Sequence, residues 1–307
     1  MQKEKSKLQP FEKKRKMPPL RIFFILVMLF PAVSHLAIFW FPVQVQSFAL
    51  AFTKFETGKF TLLDNFKDGI RVVTNGTTNL GMAFKNTTIW FFVGVGISLL
   101  SFFAAYMLYK KMFGSPFIRT VLYLPGAISS FMMAIQFQQI LVSEGPLLHL
   151  LNDILKLDIK TPIRVEYALE QMIAYSVWIG LGGGLIVWFG AMGRIPTEII
   201  EYDKLIGVGP IREFISIIIP LIWPTFCTVM TFKLIGFFGA SGPVLLFTQG
   251  QYGTYTLSYW MFDVVYSGSR NMYGIAVAVG LMMTMLSLPL VFGGRWFLNK
   301  FGEEVEY

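Results

Sequence analysis

Six stretches of this chain are almost continuously apolar: about residues 22–41, 88–109, 118–141, 170–192, 215–240 and 273–298. A helix rises about 1.5 Å per residue, so about 20 apolar residues cover the roughly 30 Å of a bilayer's hydrocarbon core. The pattern predicts six transmembrane helices and an all-α, polytopic membrane fold. Several runs contain Gly or Pro: Pro125-Gly126, Gly182-Gly183-Gly184, Pro224 and Pro289. In a membrane, neighbouring helices satisfy the backbone groups that Pro frees, and small residues let helices approach closely. A basic segment precedes the first run, which gives it the outline of a signal peptide. At about 20 residues the run is too long for a signal peptide's apolar region, and Ala32-Val33-Ser34 falls inside it, so it reads as a retained anchor.

The polar segments set the organisation. A basic tail, 1–21, is followed by the first span and an external loop (22–82), a core from 83 to 300, and a short tail, 301–307. The loop at about 42–87 alternates Phe48, Phe52, Phe55, Phe60, Leu62, Leu63, Phe66 and Ile70 with Lys and Asp. Two readings are open: an amphipathic element in the headgroup plane, or a cap on the helix bundle. The second external segment, 142–169, carries Glu144, Asp153, Asp158 and Glu166 among apolar residues. With the N-terminus inside, sixteen of the 26 Lys and Arg lie on the cytoplasmic side and nine outside, while Lys233 sits in the fifth run. That bias predicts both termini in the cytoplasm. Asn75-Gly-Thr and Asn86-Thr-Thr match a glycosylation pattern and are read as unmodified in a chain of bacterial character.

Composition agrees with a membrane protein. Charged residues make up 14% of the chain, against roughly 25% in soluble domains, and the mean hydropathy is +0.59. The net charge of +8 follows topology and does not mark a nucleic-acid surface. Cys227 lies in an apolar run and reads as a small buried hydrophobe. His35 and His149 are too scattered for a metal cluster, and no metal or catalytic residue is assigned. There is no Gly-x-x-x-x-Gly-Lys-[Ser/Thr], so the chain carries no P-loop.

The most informative polar stretch is 195–220, between the fourth and fifth runs. Pro196 suits the first position of a helix, and Glu198 and Glu201 near its start are favoured by the helix dipole. Gly207 permits a turn and Pro210 stops the helix from continuing. Leu205, Ile206, Val208 and Ile211 supply apolar surface beyond what an ordinary connector needs. A plain amphipathic connector is the competing reading. Ile195-Pro196, Glu201, Gly207, Phe214, Ile217 and Pro220 stand at the spacings of the "EAA" coupling loop, and the segment resembles that loop of ABC importer permeases. It departs from the common form at Tyr202 and Asp203, where two alanines are usual, and at Ile206, where Asp is usual.

The likeness extends over about 83–300. Tyr123-Leu-Pro-Gly-Ala-Ile-Ser129, Asn86-Thr-Thr, Thr256-Leu-Ser-Tyr259 and Tyr273-Gly-Ile-Ala276 resemble stretches of carbohydrate-uptake permeases of the maltose/multiple-sugar type. The resemblance implies a type I importer permease that works with a second homologous permease subunit, two cytoplasmic ABC ATPases and an extracytoplasmic solute-binding protein. It implies that ATP and Mg are used by the ATPase chains, that this chain is not itself an enzyme, and that the substrate is a carbohydrate. Carried over residue by residue, the ATPase-coupling positions are Glu198, Glu201, Leu205, Ile206, Gly207, Phe214 and Pro220.

Candidates for the substrate pathway follow from chemistry. Lys233 in the fifth run costs about 2.5–3.5 kcal/mol at mid-bilayer on insertion scales, so it should face protein or a wet cavity. It reads either as a contact to an anionic or hydroxyl-rich substrate, or as half of an internal ion pair or a snorkelling cation. Sugar rings stack on aromatics while their hydroxyls seek amides, which adds Gln171, Tyr175 and Trp178 on the fourth helix and Phe237 and Phe238 on the fifth. The competing reading for each aromatic is an interfacial belt. Where related permeases often show Phe-Asp after the fifth helix, this chain has Ser241-Gly242. A secondary transporter would want paired intramembrane carboxylates, and the predicted helices hold almost none, with Glu170 and Asp263 at or beyond their ends. An ABC importer of another cargo, an amino acid, peptide or anionic sugar, is the nearer alternative.

The topology is directly testable. A cysteine introduced within 200–210 is expected to react with an impermeant maleimide only after the membrane is permeabilised, and one near 155 to react from outside. Reversed labelling overturns the N-inside, six-span arrangement.

Overall fold

The computed structural model describes residues 18–54, 58–74, 80–111, 114–141, 145–156, 167–266 and 272–300. The basic tail up to residue 17, the Asn75 sequon, part of the second external segment and the tail 301–307 lie outside the described residues. Among the described residues there is no strand, only an isolated bridge between Thr53 and Phe60. The chain divides into two compact units, up to Leu50 and from Ala51.

The first unit is one long helix. α1 (Pro19–His35) runs through a five-residue π-turn, Leu36–Trp40, into α2 (Phe41–Ala51). Pro42 has no N–H to give the carbonyl four residues back, and the π-turn falls directly before it, where the hydrogen-bond ladder has to be redrawn. The apolar pattern placed the end of this helix near residue 41; it runs to Ala51 and takes up the start of the expected loop. Large apolar side chains from Leu20 to Trp40 are exposed all round, as on a helix facing lipid.

The second unit is built on α4 (Leu80–Tyr109) and α8 (Ala168–Met192), the two unbroken spans at its centre. Small residues bring them together. A side chain started at Gly180 would meet Ile97 at 2.8 Å, and one at Gly184 would meet Ser101 at 2.6 Å. This four-residue spacing of glycines on α8 is what close helix packing in lipid demands. The Ser101 hydroxyl donates to the Leu181 carbonyl at 3.1 Å and spans the same contact. Gly182 turns the other way, towards α5 (Ser115–Ala127), where a Cβ would lie 2.1 Å from the Leu122 carbonyl oxygen.

Two predicted spans are broken. The run 118–141 forms α5 and α6 (Ser130–Ile140), bent by 107° at Ile128-Ser129, just after Pro125. α7 (Pro146–Leu155) follows. The run 215–240 begins earlier and ends earlier than expected. After α9 (Thr197–Ile206), α10 (Pro210–Glu213) passes through a π-turn, Phe214–Ile218, into α11 (Ile219–Leu221). A 75° bend at Ile222 leads into α12 (Trp223–Ile235). Pro220 and Pro224 flank that bend and cannot donate to a continuous ladder. Among the described residues four helices are long and apolar enough to cross a membrane, or up to six if each bent pair is one span.

The remaining elements close the unit. α15 (Met272–Lys300) packs along α12, and α14 (Leu257–Tyr266) joins it to α4, with the short α13 (Val244–Phe247) against α6. α3 (Asp64–Thr74), within the 42–87 stretch, lies on α15, with Gly69 against Val279 and Met282. Of the two readings open for that stretch, this part takes the cap on a helix. The Asn65 amide donates to the carbonyls of Ala51 and Thr53 at 2.9 and 3.1 Å and fixes the approach to α3.

Candidate coupling site and translocation cleft

The predicted coupling segment folds as a helix, a turn and a second helix. α9 ends at Ile206 because Gly207 takes φ +75°, the left-handed region where a side chain is strained. Two local expectations are corrected. Pro196 precedes the first helical residue instead of occupying it, and Pro210 opens α10 at a position where its missing N–H is not needed, α9 having already stopped.

One face of α9 is anchored and the other is free. Ile195, Ile200 and Ile218 are buried with Phe102, Tyr106, Trp188 and Met192 in one apolar cluster. Phe214 stacks into that cluster, its ring 4.9 Å from Phe102 and 4.7 Å from Tyr106. Glu198 and Glu201 are exposed, as is Gly207. Leu205 is 85% exposed, Ile211 74% and Ile206 60%, apolar side chains left uncovered among the described residues. Pro220 is also exposed, on α11 beside the bend, so it shapes the loop's exit instead of joining the patch.

Beneath the loop lies an ion pair that the apolar pattern did not reveal. Lys110, just past the end of α4, donates to both carboxylate oxygens of Glu213, at 2.7 and 2.5 Å. The Glu213 side chain is 3% exposed and that of Lys110 20%. One turn back on α4, the Tyr106 hydroxyl donates to the Pro210 carbonyl at 2.8 Å. Asp203, which stands in place of a usual alanine, is buried beside this group, with Oδ1 unpartnered among the described residues. Lys110 had been counted only as a topological charge. The available signal was the i, i+4 spacing of Tyr106 and Lys110 at the end of a span, with an acid three residues after Pro210.

The substrate-pathway candidates do not converge. Lys233 lines a cleft of about 340 Å³ between α4, α8 and α12, together with Trp90, Phe91, Gly94, Ser176 and Phe232. Ser241 and Gly242 also border it. Phe237 lies directly behind this wall, its ring 4.7 Å from Phe91. Phe237 and Phe238 were expected on the fifth helix, but α12 ends at Ile235 and both fall in the turns after it. Phe238 packs with the cluster of Leu80, Leu257 and Trp260. Tyr175 belongs to a third cluster with Trp90, Met133 and Phe247, and Gln171, one turn earlier on α8, is also buried. There the Tyr175 hydroxyl donates to the Ser130 carbonyl at 2.9 Å, and the Gln171 Nε2 is buried without a partner among the described residues. Trp178 sits at the edge of this cluster, 6.1 Å from Phe137. α8 therefore presents Ser176, not the three predicted residues, to the cleft.

The Asn86-Thr-Thr motif also finds its role. Asn86 is buried and donates to the carbonyls of Gly253 and Tyr255 at 2.7 and 2.9 Å, while Thr87 accepts from the Leu257 amide at 3.0 Å. It ties α4 to the Thr256-Leu-Ser-Tyr stretch, so these two motifs form a single junction. The Tyr255 hydroxyl donates to Asp263 at 2.9 Å. Burial first, and then that carboxylate, push its phenol above the ordinary value.

No family model matches the chain. The sn-glycerol-3-phosphate transport system permease protein UgpA of Escherichia coli O6:K15:H31 is 27% identical over 280 residues, which cover 89% of this chain and 90% of UgpA. The probable ABC transporter permease protein YurN of Bacillus subtilis is 28% identical over 182 residues, 58% of this chain and 62% of YurN's length. A solved bacterial alginate ABC transporter, in complex with an alginate pentasaccharide-bound periplasmic protein, shares the fold with a TM-score of 0.76. Identity there is 20%, and the superposition covers 92% of this chain and 96% of that one. Over most of its length the chain is similar to ABC transporter permeases.

The predicted coupling segment rests on a buried charge pair, and the pair's energetics are testable. Removing one member of a buried pair strands the other and costs about 3–5 kcal/mol, whereas replacing both with apolar groups is often near neutral. Lys110→Met and Glu213→Leu are each expected to lower the melting temperature of the purified permease markedly. The double variant is expected to recover most of the loss. Additive losses in this cycle contradict a direct pair.

Proposed function

We propose that this permease is the membrane-spanning subunit of an ATP-driven importer for a carbohydrate delivered by an extracytoplasmic binding protein. The observation that carries the reading is the exposed apolar end of α9, held on a buried polar and aromatic base. Such a patch on an otherwise anchored helix marks a docking surface for another protein. Its occupants are two ABC ATPases in the cytoplasm, one on this chain and one on a second, homologous permease subunit. Both termini of this chain lie on the ATPase side of the inner membrane.

The chemistry divides between chains. ATP and Mg are held by the ATPases, and this permease contributes binding, positioning and a moving pathway. ATP-driven closure of the ATPases pushes α9, and the push reaches α4 through Glu213–Lys110 and Pro210–Tyr106. The bends at Ile128-Ser129 and Ile222 are where the two broken spans yield while the α4–α8 pair moves as one body. The cleft around Lys233 is thereby opened to alternate sides of the membrane. A carbohydrate fits a cleft lined by Trp90, Phe91 and Phe232, whose ring faces stack on sugar C–H groups, with Ser176 and Ser241 for hydroxyls. The resemblance of 123–129 and 256–259 to stretches of sugar permeases, and the alginate carried by the solved transporter, support the same class. A secondary transporter would couple to protons or sodium through paired intramembrane carboxylates. Among the described residues the spans hold only two carboxylates, Glu170 at the start of α8 and Glu213, which is bound to Lys110.

Gly207→Val tests the coupling role. Valine is strained at φ +75°, so the end of α9 must refold although no atom lies within 4 Å of the new Cβ. The variant is expected to insert in the membrane at the wild-type level, to lose at least tenfold in uptake, and to retain less ATPase on co-purification. Wild-type uptake and ATPase recovery with valine at 207 would remove the basis of the assignment.

A further inference from the structure

We propose that Lys233 reads an anionic group on the substrate, so that this permease carries acidic saccharides, whether uronates or sugar phosphates, in preference to neutral ones. The proposal rests on the carbohydrate-importer reading above and narrows its substrate class. Among the described residues that line the cleft, Lys233 is the only charged one. It makes no salt bridge or side-chain hydrogen bond with any described residue, so the internal ion pair considered from sequence is not found among them. Its Nζ reaches across the cleft to α4, 3.8 Å from where a side chain on Gly94 would begin, an ordinary contact distance.

An unpaired cation inside a membrane protein is costly, and such residues mark ion and substrate paths. Its place in the last turn of α12, near the negative end of the helix dipole, offsets part of that cost without placing a carboxylate beside it. A site for neutral hydroxyls alone would be served by serine or an amide at a much smaller insertion cost. What an ammonium adds is a charge-assisted hydrogen bond to carboxylate or phosphate oxygens, roughly twice as strong as a neutral one. The neighbouring Trp90 and Phe91 then hold the sugar ring while Lys233 fixes its acidic substituent.

The test uses the assembled importer in proteoliposomes with its own binding protein, and three probes. These are an alginate pentasaccharide with a carboxylate on every ring, sn-glycerol 3-phosphate, and neutral maltopentaose. The wild type is expected to accumulate one of the acidic probes faster than maltopentaose, and which one is accumulated tells carboxylate from phosphate. Lys233→Met should lower that acidic uptake about tenfold or more, Lys233→Glu should abolish it, and Lys233→Arg should restore it to within about threefold. Melting temperatures of the variants separate loss of recognition from loss of folding. Undiminished acidic uptake by Lys233→Met overturns the proposal, as does a fall in melting temperature with the acidic-to-neutral ratio unchanged. Accumulation of maltopentaose alone also overturns it while leaving the carbohydrate reading intact. Accumulation of none of the three sinks both.

Discussion

The contact between Lys110 and Glu213 is the constraint on which the rest of this permease depends. It joins the end of the central span, α4, to the start of the helix that leaves the coupling loop. Without it, α9 would be an amphipathic segment on a flexible tether, and a push on its exposed face would be lost in loop motion. With it, and with Tyr106 on Pro210 and Phe214 between Phe102 and Tyr106, the loop and α4 form one body. A buried pair of this kind adds little net stability over an apolar contact. Its value here is directional, because it fixes which part of the loop moves with which helix.

The rest of the core divides rigid from yielding parts by the same local rules. Gly180 and Gly184 draw α8 onto α4 at distances that exclude any side chain, so those helices cannot rotate past one another. The two bent spans are built differently, with prolines at 125, 220 and 224 and breaks that no continuous ladder bridges. A second cavity, of about 190 Å³, lies beside the bend at Ile222 between Arg194, Ile195 and Pro224, next to the start of the coupling helix. The cleft around Lys233 and the 195–220 segment thus adjoin the same three helices, α4, α8 and α12, and whatever tilts them reaches both.

Much of this was legible in the chain. Length and apolarity placed the spans at 88–109, 170–192 and 273–298 within several residues, because burial on all sides needs no finer pattern. The helix and the turn of the 195–220 segment were legible because a glycine-terminated helix with exposed apolar residues is a rare combination. The breaks at Ile128 and Ile222 were not, since a proline in an apolar run fits either a kink or a full bend, and tertiary packing decides. The substrate candidates scattered for a related reason. Gln171, Tyr175 and Trp178 share a helix face, but nothing in a single helix says which face meets the cleft, and the cleft took Ser176. Lys233 stood out because a lone charge in lipid-facing sequence must have an aqueous or protein environment. Lys110 was hidden by the opposite circumstance, a basic residue at a membrane end being the commonest of topological signals.

The central claim is that force enters this permease from ATPases through α9. The most direct measurement is substrate accumulation in proteoliposomes, with ATPases and internal ATP supplied or withheld, and with proton and sodium gradients imposed or collapsed. The account predicts accumulation only when ATPases and ATP are both present, unaffected by collapse of either gradient. Accumulation driven by an ion gradient in the absence of the ATPases would contradict it.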